Sequence, residues 1–307
     1  MPSPLSPKDG LQRMTAPLKI LVLGATGRLG QALLRRYHAQ GLDIRGLSRA
    51  QADLSKPEAL AGTLAGESFD VLINTAGITD VDYCEAHAAS AFVANATAPG
   101  VLAAHCQARG ARFVQLSSDY VFAGDVHSPR TEEDATRPPN VYGQSKLQAE
   151  KAVLAAQPHA LVLRVSWLFG LEKPSFPDRI IREAQERLDV SAVNDKWACP
   201  TFADDLCDWM LALLRAPEAR GVYHVVNAGH CTWQEYGERT LALARKIGIP
   251  VKTTQVRGHS MQGFAPFLAQ RPPFTVLDTS RFTQVTGVQP RSWEAALEDY
   301  LRQKYLA

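Results

Sequence analysis

Tyr142 and Lys146 stand four residues apart in NVYGQSKLQAE, directly after the turn-rich stretch TRPPN. In a helix opened by that turn the two side chains lie one turn apart on one face. A free phenol has a pKa of about 10, so tyrosine is a poor acid–base catalyst near neutrality unless a nearby positive charge stabilises its phenolate. Lys146 supplies such a charge at this spacing, and an oxidised nicotinamide ring would supply another. A hydroxyl to hold a substrate oxygen beside the phenol is offered by LSSDYVF, residues 116 to 122, as Ser117 or Ser118 at the end of a strand-like run. Singly each piece is common, since a lysine one turn from a tyrosine is usually a solvated side chain. In the order phosphate loop, strand-end serine, tyrosine and lysine, they make a strong signal together.

The phosphate loop is GATGRLG, residues 24 to 30, which follows the first strand-like run and opens a helix. Gly24, Thr26, Gly27, Arg28, Leu29 and Gly30 are therefore expected to contact a dinucleotide, the glycines letting backbone N–H groups approach its pyrophosphate. The spacing differs by one residue from G-x-G-x-x-G. An unliganded glycine-rich turn is the plain alternative, and the position at the start of a βαβ array weighs against it. About 20 residues further on, an acid would favour NAD. The chain has LSRAQ there, and Ser48 with Arg49 suits a 2′-phosphate, so NADPH is expected, with NADH also possible. Arg49 as an ordinary solvated charge fits its position equally well. Asp53 and Leu54 in ADLS are placed to meet the adenine, although Ser55 as a helix N-cap would explain part of that segment. INTAG, residues 73 to 77, ends the next strand with Ala76 and Gly77, small enough for the cofactor to lie close to the backbone.

The elements that must hold these residues alternate from Leu18 onward: KILVLG, RLGQALLRRYHAQG, LDIRGLS, KPEALAGTLAG, FDVLINTAG. Short β-branched and leucine-rich runs separated by amphipathic ones mark βαβ units and a parallel sheet buried on both faces. Further strands are expected at 112–118 and 160–166. After Gly170 prolines and helices dominate, at about 176–187, 203–215, 233–247 and 292–304. The fold expected is α/β, a Rossmann-type doubly wound parallel sheet over 18–170, with a smaller mixed α/β substrate-binding region over 171–307 whose chain is free to return to the main sheet. Residues 1–17, rich in Pro and Ser, read as a flexible leader without a signal peptide.

The 307 residues, 46% hydrophobic, are enough for a sizeable core. A net charge of +2 from 33 basic and 31 acidic residues gives no electrostatic reason to expect nucleic acid or an anionic membrane. Five cysteines without a C-x-x-C pair argue against a disulfide framework or a zinc ribbon and for a cytoplasmic setting. No apolar run is long enough to span a bilayer. The eight histidines lack metal-cluster spacing.

The chain resembles the dTDP-4-dehydrorhamnose reductase family, within the extended short-chain dehydrogenase/reductase superfamily. The resemblance runs from Lys19 to Tyr300 and rests on GATGRLG, VDYCE, SSDYVFAG, NVYGQSKLQAE, RVSWLFG, NDKWACPT and AQRPPFTVLDTSRF. It implies NADPH-dependent reduction of the C4 ketone of a nucleotide-linked hexose by a monomer or homodimer. It also implies Ser118 in the place of the catalytic Thr or Ser, Tyr142 as general acid and Lys146 as its partner. Asp82, Tyr120, Trp167 and Arg271 match positions that line the sugar pocket, although a tryptophan at a strand end is more often packing than stacking partner. The family often has a lysine where this chain has Tyr83, which puts one substrate contact in doubt. Some members join dimers through a glutamate-held metal just after the glycine loop; Gln31 and Ala32 stand there, so no metal is expected. Two alternatives remain: a reductase or epimerase of another nucleotide-linked 4-ketohexose, and a non-catalytic subunit resembling the regulatory β subunit of methionine adenosyltransferase. Co-purification of a synthetase would mark the second, and intact Tyr142 and Lys146 speak for an enzyme.

Overall fold

The computed structural model describes residues 18–262 and 267–306. The expected leader lies outside the described residues. The chain opens with β1 (Lys19–Leu23), α1 (Arg28–Ala39), β2 (Asp43–Leu47), α2 (Pro57–Ala65) and β3 (Val71–Asn74). Helices α3 (Val81–Ala86), α4 (Ala88–Phe92) and α5 (Ala98–Arg109) follow, a π-helical turn at Val93–Thr97 joining the last two. Next come β4 (Arg112–Ser118), a 3₁₀ turn at Asp119–Val121, α6 (Val141–Ala156) and β5 (Leu161–Val165).

Beyond β5 the strands shorten: β6 (Leu168–Phe169), then α7 (Phe176–Glu186), β7 (Ser191–Val193), β8 (Trp197–Ala198), β9 (Thr201–Phe202) and α8 (Ala203–Arg215). The remainder is β10 (Gly221–His224), β11 (Cys231–Thr232), α9 (Trp233–Lys246), β12 (Arg257–His259), α10 (Ser280–Thr286) and α11 (Trp293–Tyr305).

Six strands form one parallel sheet in the order β10-β5-β4-β3-β1-β2. The order reverses between β1 and β3, and ligands of doubly wound sheets bind at the carboxyl ends beside such a reversal. Because successive residues face opposite ways, the strands feed two cores. Ile20, Val22, Ile73, Val114 and Leu161 pack under α1 and α8. Leu21, Leu23, Leu72, Phe113 and Val162 pack under α2 and α5. This is why the strands read as continuous apolar runs rather than alternating ones. The chain returns to the sheet as β10, paired in parallel with β5. A third core of Phe169, Phe202, Tyr236, Trp293 and Tyr300 joins the carboxyl-terminal elements to one another. Among the described residues no helix is long and apolar enough to cross a membrane.

Two local features set the site's geometry. Asn140 caps α6, its side-chain oxygen accepting the Gly143 N–H at 2.8 Å. A Cβ at Gly143 would stand 2.2 Å from the Tyr120 carbonyl, so glycine lets the first turn of α6 press against the end of β4. The N-cap of α2 is Lys56, and not Ser55, the alternative that the sequence left open. Ser55 N–H donates instead to Asp53 Oδ1 at 3.0 Å, an Asx-type turn that shifts the helix start to Pro57, which has no N–H to satisfy.

Candidate active site

The loop after β1 is pinned before it reaches α1. Gly24 and Ala25 N–H both donate to the Leu47 carbonyl at 3.1 Å. Gly24 adopts φ +79°, and a Cβ there would stand 2.8 Å from Ala76 N; at Gly30 it would stand 2.2 Å from the Gly24 carbonyl. Glycine is thus required at both points for the loop, β3 and α1 to converge. Helix α1 starts at Gly27 with no side-chain cap and no acid in its first turn. Its unpaired N–H groups and dipole face the cleft, an arrangement suited to a phosphate.

Two cavities meet over this loop. One, of about 310 Å³, is lined by Thr26, Arg49, Asp53, Leu54 and Tyr83. The other, of about 580 Å³, lies over the ends of β4 and β5 and is lined by Ser118, Tyr120, Tyr142, Lys146 and Trp167. Gly27, Thr75, Ala76, Gly77 and Lys173 belong to both walls. A dinucleotide with its adenosine in the first, its pyrophosphate over Gly27 and its nicotinamide in the second fits this shape. Arg49 is 82% exposed, with Nε 3.7 Å from Asp53 Oδ1. Ser48 gives both its N–H and its hydroxyl to Gln51 Oε1, each at 2.9 Å. Arg28 lines the second cavity, with its guanidinium on backbone: Nη1 donates to Leu168 O at 2.9 Å and Nη2 to Pro174 O at 2.7 Å. Leu29 lines the same wall from the buried side of α1.

Within the larger cavity Tyr142 and Lys146 project from one face of α6. Burial pushes the Tyr142 phenol up, and the phenol lies within hydrogen-bond reach of the Ser118 hydroxyl. Burial pulls Lys146 down to about 8, opposed by the Glu150 carboxylate one turn further on. Glu150 is itself held in a buried ion pair with Arg164 at 2.7 Å and accepts the Ser117 hydroxyl at 2.5 Å. Of the two serines offered by LSSDYVF, Ser117 therefore serves the scaffold. Ser118 donates to Asp119 Oδ1 at 3.0 Å and accepts the Tyr120 N–H at 3.2 Å. Its one proton is thereby committed to Asp119, which leaves a lone pair for the Tyr142 O–H.

Tyr120 sits edge-on to Tyr142, ring centroids 5.7 Å apart, with Lys196 Nζ 4.8 Å from its centroid. Trp167 carries φ +38°, the sole positive φ of a non-glycine among the described residues, and this strain lies at the mouth of the site. Its indole rests against Trp233 and Tyr236, with centroids 5.6 and 6.3 Å away. Trp167 thus packs against other aromatics and also borders the cavity.

Asp82 and Arg271 are not brought to this cavity. They pair with each other at 2.8 Å, and Asp82 Oδ1 accepts the Ala269 N–H at 2.9 Å. Arg271 lines a neighbouring depression of about 680 Å³ with His127 and Trp197. Tyr83 faces the adenosine side rather than the sugar side.

Several residues went unassigned in the sequence. Asn95, in the π-helical turn, binds both polar groups of the Ile78 peptide, accepting its N–H at 2.8 Å and donating to its carbonyl at 2.9 Å. Only the turn geometry reveals it. Asp119 and Lys196 sit in SSDYVF and NDKWACPT, beside Ser118 and Asp195 respectively, where nothing local marks them as buried. Among the described residues no group of three or more His, Cys, Asp or Glu could hold a metal.

Residues 18–306 match the family model described as RmlD substrate binding domain. The chain is 33% identical over 296 residues to a dTDP-4-dehydrorhamnose reductase of Salmonella typhimurium, covering 94% of this chain and 98% of the relative. It is 34% identical over 284 residues to a Streptomyces antibioticus protein named "Probable dTDP-4,6-dihydroxy-2-methyloxan-3-one 4-ketoreductase", covering 92% and 94%. The crystal structure of dTDP-4-dehydrorhamnose reductase from Bacillus anthracis str. Ames in complex with NADP superposes with a TM-score of 0.87 at 29% identity, covering 94% of this chain and all of that one. With the match running over nearly the whole chain, this protein belongs to the RmlD substrate binding domain family.

Proposed function

We propose that the protein is a cytoplasmic NADPH-dependent oxidoreductase that reduces the C4 ketone of dTDP-4-dehydro-L-rhamnose to dTDP-L-rhamnose, the last step of dTDP-rhamnose synthesis. The observation that carries this reading is the convergence of Ser118, Tyr142 and Lys146 on one cavity that adjoins the α1 N-terminus. NADPH, when bound, supplies the hydride for the ketone carbon. Tyr142, held neutral by burial, gives its proton to the oxygen as negative charge develops there. The Lys146 ammonium steadies the phenolate left behind. Ser118 aims the phenol: with its own proton on Asp119, its free lone pair holds the Tyr142 O–H until a ketone oxygen takes it over. Tyr120 and Trp167 wall the sugar side, and Asp82 with Arg271 secures the segment 269–271 that lines the neighbouring depression.

The relative named a 4-ketoreductase of a different dTDP-linked sugar supports a second reading, in which the substrate is another nucleotide-linked 4-ketohexose. Pocket details, not the fold, set the sugar. Following NADPH oxidation against a panel of nucleotide 4-keto sugars separates the two. The highest kcat/KM is expected for dTDP-4-dehydro-L-rhamnose, and turnover with none of the panel would overturn the enzymatic reading.

A further inference from the structure

Lys173 is an exposed side chain in the segment between β6 and α7, and it lines both cavities at their junction. The other shared residues, Gly27, Thr75, Ala76 and Gly77, bring no positive side chain. The Lys173 side chain makes no hydrogen bond or ion pair among the described residues. A pyrophosphate linking the two halves of a dinucleotide must pass this point, over the uncapped start of α1.

Arg28 is the cation that the glycine loop itself carries; both its Nη atoms are engaged by backbone carbonyls, while its Nε is buried without a partner. Besides Leu168 and Pro174, Nη2 reaches the Lys173 carbonyl at 3.4 Å. Two turns along α1, Arg35 pairs with Glu172 at 2.8 Å. Two arginines of α1 thus fasten residues 168–174 across the mouth of the phosphate loop. Gly170 is packed so closely there that a Cβ would stand 2.8 Å from Ala203 Cβ and 3.4 Å from Arg28 Cγ.

We propose that Lys173 clamps the pyrophosphate of the cofactor from the substrate-binding side, and that Arg28 acts as a positioning residue by holding the backbone that carries it. The ammonium closes over phosphate oxygens whose other side meets the α1 N–H groups, so the anion is met from two elements far apart in sequence. The strap also begins at Leu168, next to Trp167. A cofactor that draws Lys173 inward therefore pulls on the segment that leads out of the sugar pocket. The inference rests on the dinucleotide reading of the paired cavities.

Titration calorimetry with NADPH, and with adenosine 2′-monophosphate as a probe lacking the pyrophosphate, tests it. Lys173→Gln is expected to weaken NADPH about tenfold, the scale of a hydrogen bond to a charged group. It should also flatten the dependence of log Kd on log salt and leave adenosine 2′-monophosphate within twofold of the parent. Lys173→Arg should restore most of the NADPH affinity. Arg28→Gln should weaken NADPH similarly and speed amide exchange over residues 171–175, which Lys173→Gln does not. NADPH binding unchanged in Lys173→Gln overturns the clamp. Unchanged binding in Arg28→Gln overturns the positioning role. A parent protein that takes up no NADPH overturns the dinucleotide reading, and the clamp with it.

Discussion

Ser118 donates its hydroxyl proton to Asp119 Oδ1 at 3.0 Å, and this contact decides what Ser118 can do for its neighbours. Asp119 also accepts Ser166 Oγ at 2.9 Å and Thr275 Oγ1 at 2.6 Å, so three hydroxyls converge on one buried carboxylate. Burial raises the Asp119 carboxyl, and Lys196 with the three hydroxyls pulls it back. Removing the acceptor leaves the hydroxyls of Ser166 and Thr275 without that partner in a dry interior. Asp119→Ala is expected to cost about 2–3 kcal/mol in chemical denaturation, the scale of stranded buried polar groups. Ser118→Ala should leave stability nearly unchanged and lower kcat about 10-fold or more by loosening Tyr142. Equal stability losses in the two variants would contradict the division of labour between them.

Tyr142→Phe removes the proton donor without disturbing the packing of the ring against Tyr120. A fall in kcat of about 100-fold or more is expected, the scale of a positioned general acid, with NADPH affinity retained. Stopped-flow measurement of hydride transfer at saturating NADPH is the check. Near-normal turnover would remove Tyr142 from the chemistry.

How far the sequence foretells this arrangement depends on the range of the interactions involved. The strands and helices of the sheet follow from local apolar patterning, and the Tyr142–Lys146 face follows from helical spacing alone. What escapes is long-range. Nothing in the local sequence says that Arg28 will spend its donors on carbonyls 140 and 146 residues away, or that Arg271 will reach back 189 residues to Asp82. Trp167 could be placed at a strand end, but its positive φ arises from tertiary packing against Trp233 and Tyr236 and has no sequence mark. Ser55 is not the cap because Asp53, two residues earlier, accepts the Ser55 N–H in a local turn, and the helix starts only after Lys56.

Burial lowers Lys146 from 10.5 to about 8, which predicts opposite pH trends in activity and stability. The Lys146 ammonium, which in the proposed mechanism steadies the phenolate, is present below about 8 and lost above it, so kcat/KM should fall on the alkaline side with an apparent pKa near 8. Between about 8 and 10.5 the unfolded chain binds the proton that the folded chain has released. This group's contribution to stability therefore rises with pH across that window. A pH–rate profile flat to pH 9.5 would contradict the assignment, and denaturation at several pH values separates loss of activity from loss of fold.

Arg49 faces the adenosine cavity with its side chain largely in solvent, held loosely by Asp53. No carboxylate at the end of β2 repels a 2′-phosphate there. NADPH is expected to be preferred over NADH at low ionic strength, and the preference should shrink as salt screens so exposed a contact. Arg49→Ala should reduce the preference about tenfold or less, acting on NADPH and not on NADH. Ratios of kcat/KM for the two cofactors at several salt concentrations measure this, and a ratio near one in the parent would show that Ser48 and Arg49 do not read the phosphate.

Chelation bears on the last expectation, that turnover needs no metal. A hard dication such as magnesium needs several oxygen ligands in near-octahedral geometry. After the glycine loop the chain presents Gln31 and Ala32, and the acids nearest α1 are engaged elsewhere: Glu172 and Asp204 with Arg35, Asp208 with Arg36. In the proposed mechanism neutral Tyr142, donating its proton to the ketone oxygen, would do the work of a Lewis acid. Ketone reduction after exhaustive EDTA treatment should therefore match that of the untreated protein to within about twofold, with no gain on adding magnesium. Activity lost to EDTA and restored by magnesium would require that the acids now paired with Arg35 and Arg36, or carboxylates elsewhere on the surface, assemble a metal site.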